Sequence, residues 1–176
     1  MKIRRYEEKD FQEVLDTIND GASAYRGHIP DDCFHTPYMK EKYLASEIKD
    51  GVRFWCSESD SLVNGVMGIQ DRGDLFLIRH AYVRTSARRK GIGSLLMEKL
   101  LSESELPFLI GCWKGATWAV DFYRKQGFET VNEEEKNLLL RTYWHLPDRQ
   151  IETSHVMGDA AFLASPILEN LMAPKR

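Results

Sequence analysis

Seven residues, Arg88-Arg89-Lys90-Gly91-Ile92-Gly93-Ser94, set three cations against two glycines where an apolar strand gives way to an amphipathic helix. The N–H groups of a helix's first turn lack intrahelical partners, and the helix dipole favours an anion there. Gly91 and Gly93 can adopt positive φ and let a phosphate approach the backbone, while Arg88, Arg89 and Lys90 add positive charge. The chemistry such a loop suits is pyrophosphate binding. Other reactive or titratable side chains lie elsewhere along the chain. His80 lies on the preceding strand beside Arg79, with Asp74 at the strand's start, and an unperturbed imidazole titrates near neutrality. Glu152 and His155 fall on a late strand, Tyr123 on a helix, and Cys112 near the end of an apolar strand. Each of these also has a plain structural reading, as a satisfied core side chain, a cross-strand pair or an inert thiol.

The elements that must position these groups follow from apolar periodicity. Lys2 to Arg5 reads as a short strand, and Asp10 as the N-cap of a helix through Ile18. Tyr25 to Tyr38 is irregular and dense in polar and aromatic groups; Asp31 and Asp32 suit a cationic amine, Arg26 a carboxylate. Thr36 and Pro37 read as the cap and first turn of a second helix ending near Lys49. Three strands, Val52 to Ser57, Leu62 to Gln70 and Leu75 to Val83, are joined by short turn-rich segments and predict an antiparallel meander. Alternation along the third strand puts Arg79, Ala81 and Val83 on one face and His80 and Tyr82 on the other, unless a bulge swaps them.

After the glycine loop, Ile92, Leu95, Leu96 and Leu100 share one helical face, and Phe108 to Trp113 reads as a strand buried on both sides. A helix from Thr117 to Gln126 stops at Gly127, and Ala116, Ala119, Val120 and Tyr123 form its inner stripe. Glu133 to Trp144 is predicted helical, Arg149 to Val156 a strand, and Asp159 to Met172 a C-terminal helix. Strand, loop, helix and strand from Leu75 to Trp113 make a crossover, which sets its two strands parallel. The 176 residues suit a single domain over 1–176, with about 158–176 an extension of unassigned docking. A net charge of −3 offers no broad basic surface to nucleic acid or acidic lipid. No apolar run approaches the roughly 20 residues of a membrane helix. Three scattered cysteines, with no CxxC, fit a reducing cytoplasm, and the sequence offers no metal-ligand spacing.

Two motifs in this order resemble the GCN5-related N-acetyltransferases, the GNAT family. Arg88-Arg89-Lys90-Gly91-Ile92-Gly93 matches that family's Arg/Gln-x-x-Gly-x-Gly/Ala loop, entered through Tyr82-Val83-Arg84. Ala119-x-x-x-Tyr123 closing on Gly127-Phe128 matches its later helix. The likeness covers roughly residues 1 to 131 and implies an α/β fold, a mixed and mostly antiparallel sheet with a parallel strand pair at its centre and helices on both faces.

The resemblance implies an enzyme that transfers an acetyl group from acetyl-CoA, its co-substrate, to a primary amine by direct attack in a ternary complex. The amine would be a small molecule or a peptide, and dimerisation is common in the family. In the family fold the strands ending at Val83 and Trp113 splay apart around the pantetheine arm. Backbone groups of Ala81 and Val83 would pair with that arm. The pyrophosphate would rest on the N–H groups of Arg89, Lys90, Gly91, Ile92, Gly93 and Ser94, with Arg88 beside them. Tyr123 would protonate the departing thiolate. Many relatives carry Glu near the position of Leu77 as base, and Asn at that of Ala116, so this chain departs at both. His80, Glu152 and His155 remain candidates for the base, and Cys112 for a covalent route. A non-catalytic acyl-CoA-binding or regulatory module of the same fold is the alternative.

Overall fold

The apolar runs of the first hundred residues form strands in the computed structural model, which describes residues 1–173. The end of the C-terminal extension, 174–176, lies outside the described residues. Two compact units divide the chain: Met1–Asp71 with Ile78–Glu105, and Arg72–Leu77 with everything from Leu106 onward.

The first unit contains β1 (Lys2–Arg5), α1 (Phe11–Ala22), α2 (Glu41–Lys49), β2 (Arg53–Ser59), β3 (Leu62–Asp71), most of β4 (Phe76–Val83) and α3 (Ile92–Leu101). β1, β2 and β3 pair antiparallel, with a register shift at Ser57/Glu58. Residues 65 and 66 of β3 separate the two faces. A Cβ on Gly65 would sit 2.6 Å from Ile92 Cγ2, so that face abuts α3. Val66 points the other way, into a core with Val14, Leu15 and Ile18 of α1, Leu44 of α2, and Phe54 and Cys56 of β2.

In the second unit the first residues of β4 adjoin β5 (Phe108–Trp113), where the Phe76 N–H donates to the Pro107 carbonyl at 2.8 Å. After β5 come α4 (Thr117–Lys125), β6 (Glu129–Thr130), α5 (Glu133–Tyr143), α6 (Asp148–Glu152), β7 (Ser154–Gly158), α7 (Ala160–Leu163) and α8 (Ile167–Met172). β7 pairs antiparallel with β5 and β6. Its core joins Leu75 and Leu77 to Leu109, Leu139, Leu140, Val156 and Phe162. The strand order is β1-β2-β3-β4-β5-β7-β6, with β4 and β5 parallel and the rest antiparallel. This is the mixed α/β sheet the sequence predicts. Among the described residues no helix is long and apolar enough to cross a membrane.

Several local expectations are corrected, each for a physical reason. The second helix begins at Glu41, not at Thr36, because the Asn19 side chain claims both backbone groups of Met39: its Oδ1 accepts from the Met39 N–H at 2.8 Å and its Nδ2 donates to the carbonyl at 3.0 Å. The late strand does not start at Arg149. Pro147 opens the short helix α6, which carries Glu152, and extended backbone resumes only at Ser154. The C-terminal helix is two pieces, broken at Ser165-Pro166, where proline has no N–H to continue the ladder. Leu95, expected on the inner face of α3, is 40% exposed.

Asp10 precedes α1 but makes no side-chain cap. Its carboxylate accepts from Arg4 Nη1 at 2.6 Å and Nη2 at 2.9 Å, and from the Glu7 N–H at 2.8 Å. The Arg4 hydrogen bonds hold this 4%-exposed carboxyl below its ordinary range, against the opposing effect of burial. A depressed carboxylate contributes stability above its unfolded value near 3.9, and the contribution is lost as pH falls through the folded value. Asp10→Asn should therefore destabilise the fold by about 1–3 kcal/mol at pH 7. Urea unfolding at pH 7 and pH 2.5 should give a mutant–wild-type gap that narrows at the lower pH.

Candidate functional site

The segment leaving β4 is fastened to α1 by its polar side chains before it reaches the glycines. Arg84 donates through Nε to the Val63 carbonyl at 2.7 Å and through Nη2 to Glu13 at 3.3 Å. The Thr85 N–H donates to Asp20 Oδ2 at 2.5 Å, and the Thr85 hydroxyl donates to the same carboxylate. Arg88 Nη2 donates to the Gly21 carbonyl at 2.9 Å. The Arg88 guanidinium thus braces the loop, while Arg89 and Lys90 stand exposed.

Beyond these anchors Arg89 takes φ +61° and Gly91 φ +78°, and Gly91 is the N-cap of α3. Gly93, read as a second positive-φ glycine, lies inside the helix instead. A glycine N-cap has no side chain to offer the first-turn N–H groups, and a Cβ at Gly91 would meet no described atom within 4 Å. The helix start is open to an approaching anion, whose charge the dipole and the two exposed cations would favour.

On β4 the expected alternation breaks at His80, whose φ is +52°. Arg79 and His80 consequently reach the same carboxylate. Glu47 Oε2, on α2, lies 2.5 Å from Arg79 Nη2 and 2.9 Å from His80 Nε2. Arg79 Nη1 also donates to Gln70 Oε1 at 2.6 Å, and the His80 ring stacks on Phe54 at 5.9 Å. Burial pushes the imidazole below its ordinary value, partly offset by the Glu47 hydrogen bond, so it is neutral at pH 7. Burial opposes ionisation of Glu47 as well, but the His80 hydrogen bond and the Arg79 charge outweigh it and keep the carboxyl below its usual range.

The sequence alone does not single out Glu47. Its one legible signal is that it follows the buried Leu44 by three residues, on the inner side of α2. Also unforeseen is a knot of phenols. Tyr82 packs against Tyr25 and Tyr38 with ring centroids 6.1 and 6.3 Å away and hydrogen-bonds with both, and its burial raises its hydroxyl far above the ordinary value. Arg26 stacks over Phe34 at 5.0 Å.

In the second unit, Tyr123 is fixed by how α4 ends. Gly127, at φ +88°, donates to the Arg124 carbonyl at 3.0 Å and Phe128 to that of Tyr123 at 3.1 Å, the paired bonds of a Schellman stop. That stop brings the Phe128 ring against the Tyr123 ring at 6.3 Å, and Tyr123 is 6% exposed. Gly-Phe in the sequence is thus the device that orients Tyr123.

Cys112 lies directly opposite His155 across β5 and β7. Burial pushes the Cys112 thiol up to about 12 and the His155 imidazole down, so neither a thiolate nor an imidazolium is favoured at neutral pH. Glu152 is on the helix α6, not the strand, where it faces solvent near Arg149 at 3.7 Å. Asp74 accepts a hydrogen bond from the Tyr143 hydroxyl at 2.8 Å. Among the described residues no group of three His, Cys, Asp or Glu side chains is placed to hold a metal ion.

A family model for the acetyltransferase (GNAT) domain matches residues 6–141. The chain belongs to the GNAT family. This GNAT chain also shares its fold with solved structures at low identity. The PaiA N-acetyltransferase of Thermoplasma acidophilum, solved with coenzyme A, superposes with a TM-score of 0.67 at 16% identity, over 90% of this chain and 97% of that one. The ribosomal-protein-S18-alanine N-acetyltransferase of Escherichia coli gives 0.66 at 15%, over 90% and 92%. An acetyltransferase of Streptococcus agalactiae gives 0.69 at 16%, over 90% and 96%. No curated protein matches the sequence at a significant level.

In this GNAT domain the left-handed cap makes a direct prediction. Gly91→Ala places a Cβ at φ +78° without a clash, so its cost is backbone strain, about 1–2 kcal/mol. Thermal unfolding should record a lowered Tm, and an unchanged Tm would mean the cap relaxes without strain.

Proposed function

We propose that the chain is a cytoplasmic, acetyl-CoA-dependent N-acyltransferase, a single domain over 1–176 that acetylates a primary amine of a small molecule or peptide. The observation that supports the reading most is the open, glycine-capped start of α3, which follows β4 directly and stands beside Arg89 and Lys90. Backbone N–H groups of residues 89–94 would hold the pyrophosphate there, and Ala81 and Val83 would pair with the pantetheine arm. Acetyl-CoA supplies the acyl carbon and a thiolate leaving group.

The residues then divide the proton work. His80, neutral at pH 7, accepts the proton lost by the amine as its nitrogen bonds to the acyl carbon. The Val83 N–H donates to the carbonyl oxygen as negative charge develops on it. The family resemblance assigns Tyr123 the acid's part, a phenolic proton for the sulfur as the C–S bond breaks. Glu152 receives no role, because its exposed place on α6 beside Arg149 suits a solvated ion pair. Covalent transfer through Cys112 is disfavoured by the high position of its thiol.

The rival reading, a non-catalytic acyl-CoA-binding module, draws on Leu77 and Ala116, both fully buried and apolar at positions where the family resemblance implies Glu and Asn. Thiol release from acetyl-CoA with a panel of primary amines separates the two: tight CoA binding with no amine-dependent thiol would favour the module. Tyr123→Phe should lower kcat by roughly a hundredfold or more while leaving the Kd for CoA, measured by calorimetry, within about twofold. Gly91→Val should instead weaken CoA binding by at least tenfold; retained affinity would refute the phosphate cradle.

A further inference from the structure

One half-buried carboxylate, remote in sequence from both motifs, is tied to the strand that carries the proposed base. We infer that Glu47 is a positioning residue for His80, holding the imidazole as the Nε2–H tautomer so that Nδ1 is its basic nitrogen; this rests on the acetyltransferase reading above.

Successive side chains on a regular strand point to opposite faces, so Arg79 and His80 could not both reach one oxygen. The +52° φ at His80 breaks that rule, and both meet Glu47 Oε2. Histidine tolerates positive φ better than most residues, yet such a conformation persists only where the surroundings fix it, and it concentrates at functional sites. The surroundings here do fix it. Glu47 arrives from α2, the Phe54 ring from β2 stacks on the imidazole, and Gln70 from β3 takes the second Arg79 nitrogen while donating to the Asp50 carbonyl at 2.9 Å.

An ionised carboxylate can only accept hydrogen bonds. With Glu47 ionised, the proton of the 2.9 Å contact must sit on Nε2, which leaves Nδ1 with the lone pair. Arg79 has a structural part in this: it keeps Glu47 charged and balances it, so the carboxylate orients the imidazole without drawing a full second proton onto it. Among the described residues, the charged groups that act on His80 are Glu47 and Arg79. Their opposed effects, together with burial, leave the ring neutral at pH 7.

The test compares wild type with Glu47→Gln, Glu47→Asp, His80→Gln and the Glu47→Gln/His80→Gln double variant, by amine-dependent thiol release from acetyl-CoA and by ¹H–¹⁵N NMR of His80. Arg79 retains Gln70 in Glu47→Gln, so the variant should fold, and its Tm checks this. NMR should place the wild-type proton on Nε2 at pH 7, and Glu47→Gln should lower the His80 midpoint, because the group that raises it has lost its charge. Kinetically, Glu47→Gln should reduce kcat by at least about tenfold, spare the KM for acetyl-CoA, and move the acid limb of the pH profile to lower pH. Glu47→Asp should recover part of the loss, and the double variant should be no worse than His80→Gln.

An Nδ1–H wild-type tautomer, an unmoved acid limb in Glu47→Gln, or additive losses in the double variant would each overturn the inference. If His80→Gln loses turnover while Glu47→Gln does not, only the positioning role falls. If His80→Gln keeps wild-type turnover, the assignment of the base falls and carries this inference with it. A wild-type chain that releases no thiol with any amine would overturn both.

Discussion

A backbone φ of +52° at one residue, His80, decides what β4 can present to the helices beside it. Without it the strand would divide Arg79 and His80 between two faces and leave Glu47 with one partner or none. With it, two basic side chains converge on a single carboxylate within hydrogen-bonding distance, and the strand continues to Tyr82 and Val83. The cost of such a conformation is of order 1–3 kcal/mol, comparable to the charge-assisted hydrogen bonds it permits. The irregularity and the contacts that hold it are therefore mutually dependent.

The same economy of charge runs through the first unit. Each of four carboxylates secures a basic or backbone group contributed from elsewhere: Asp10 secures Arg4, Glu13 secures Arg84, Asp20 secures Thr85, and Glu47 secures Arg79 with His80. Glu13 and Asp20 lie on α1, so that helix grips the exit of β4 directly. Arg88 adds a third link through the Gly21 carbonyl. The loop is thus held by groups that precede it, and Gly91 is left with the task of opening the start of α3. A loop anchored at its base and open at its tip needs little reorganisation to accept an anion.

Chain order and periodicity made much of this readable. The strands through Trp113, the helix after the glycines and the α4 stop at Gly127 follow from apolar spacing and from the backbone needs of glycine and proline, which are local. Elsewhere a distant side chain overrides the local preference. Asn19 holds Met39 out of α2, and Arg4 takes the Asp10 carboxylate from its expected capping role. Pro147 is itself a local signal: it opens a helix and moves Glu152 off the strand.

By itself the sequence determined the order of elements through α4, the glycine-capped start of α3 and the family, because these depend on residue types at fixed short spacings. It also determined the orientation of Tyr123, through the Gly127-Phe128 stop that follows within one turn. Only the tertiary structure decided which of Arg88, Arg89 and Lys90 braces the loop, and only it joined Glu47 to His80 across 33 residues. The reason is physical. A side chain's partner is chosen by what the folded chain brings within about 3 Å, and no periodicity in the sequence encodes a contact between a helix and a strand so far apart.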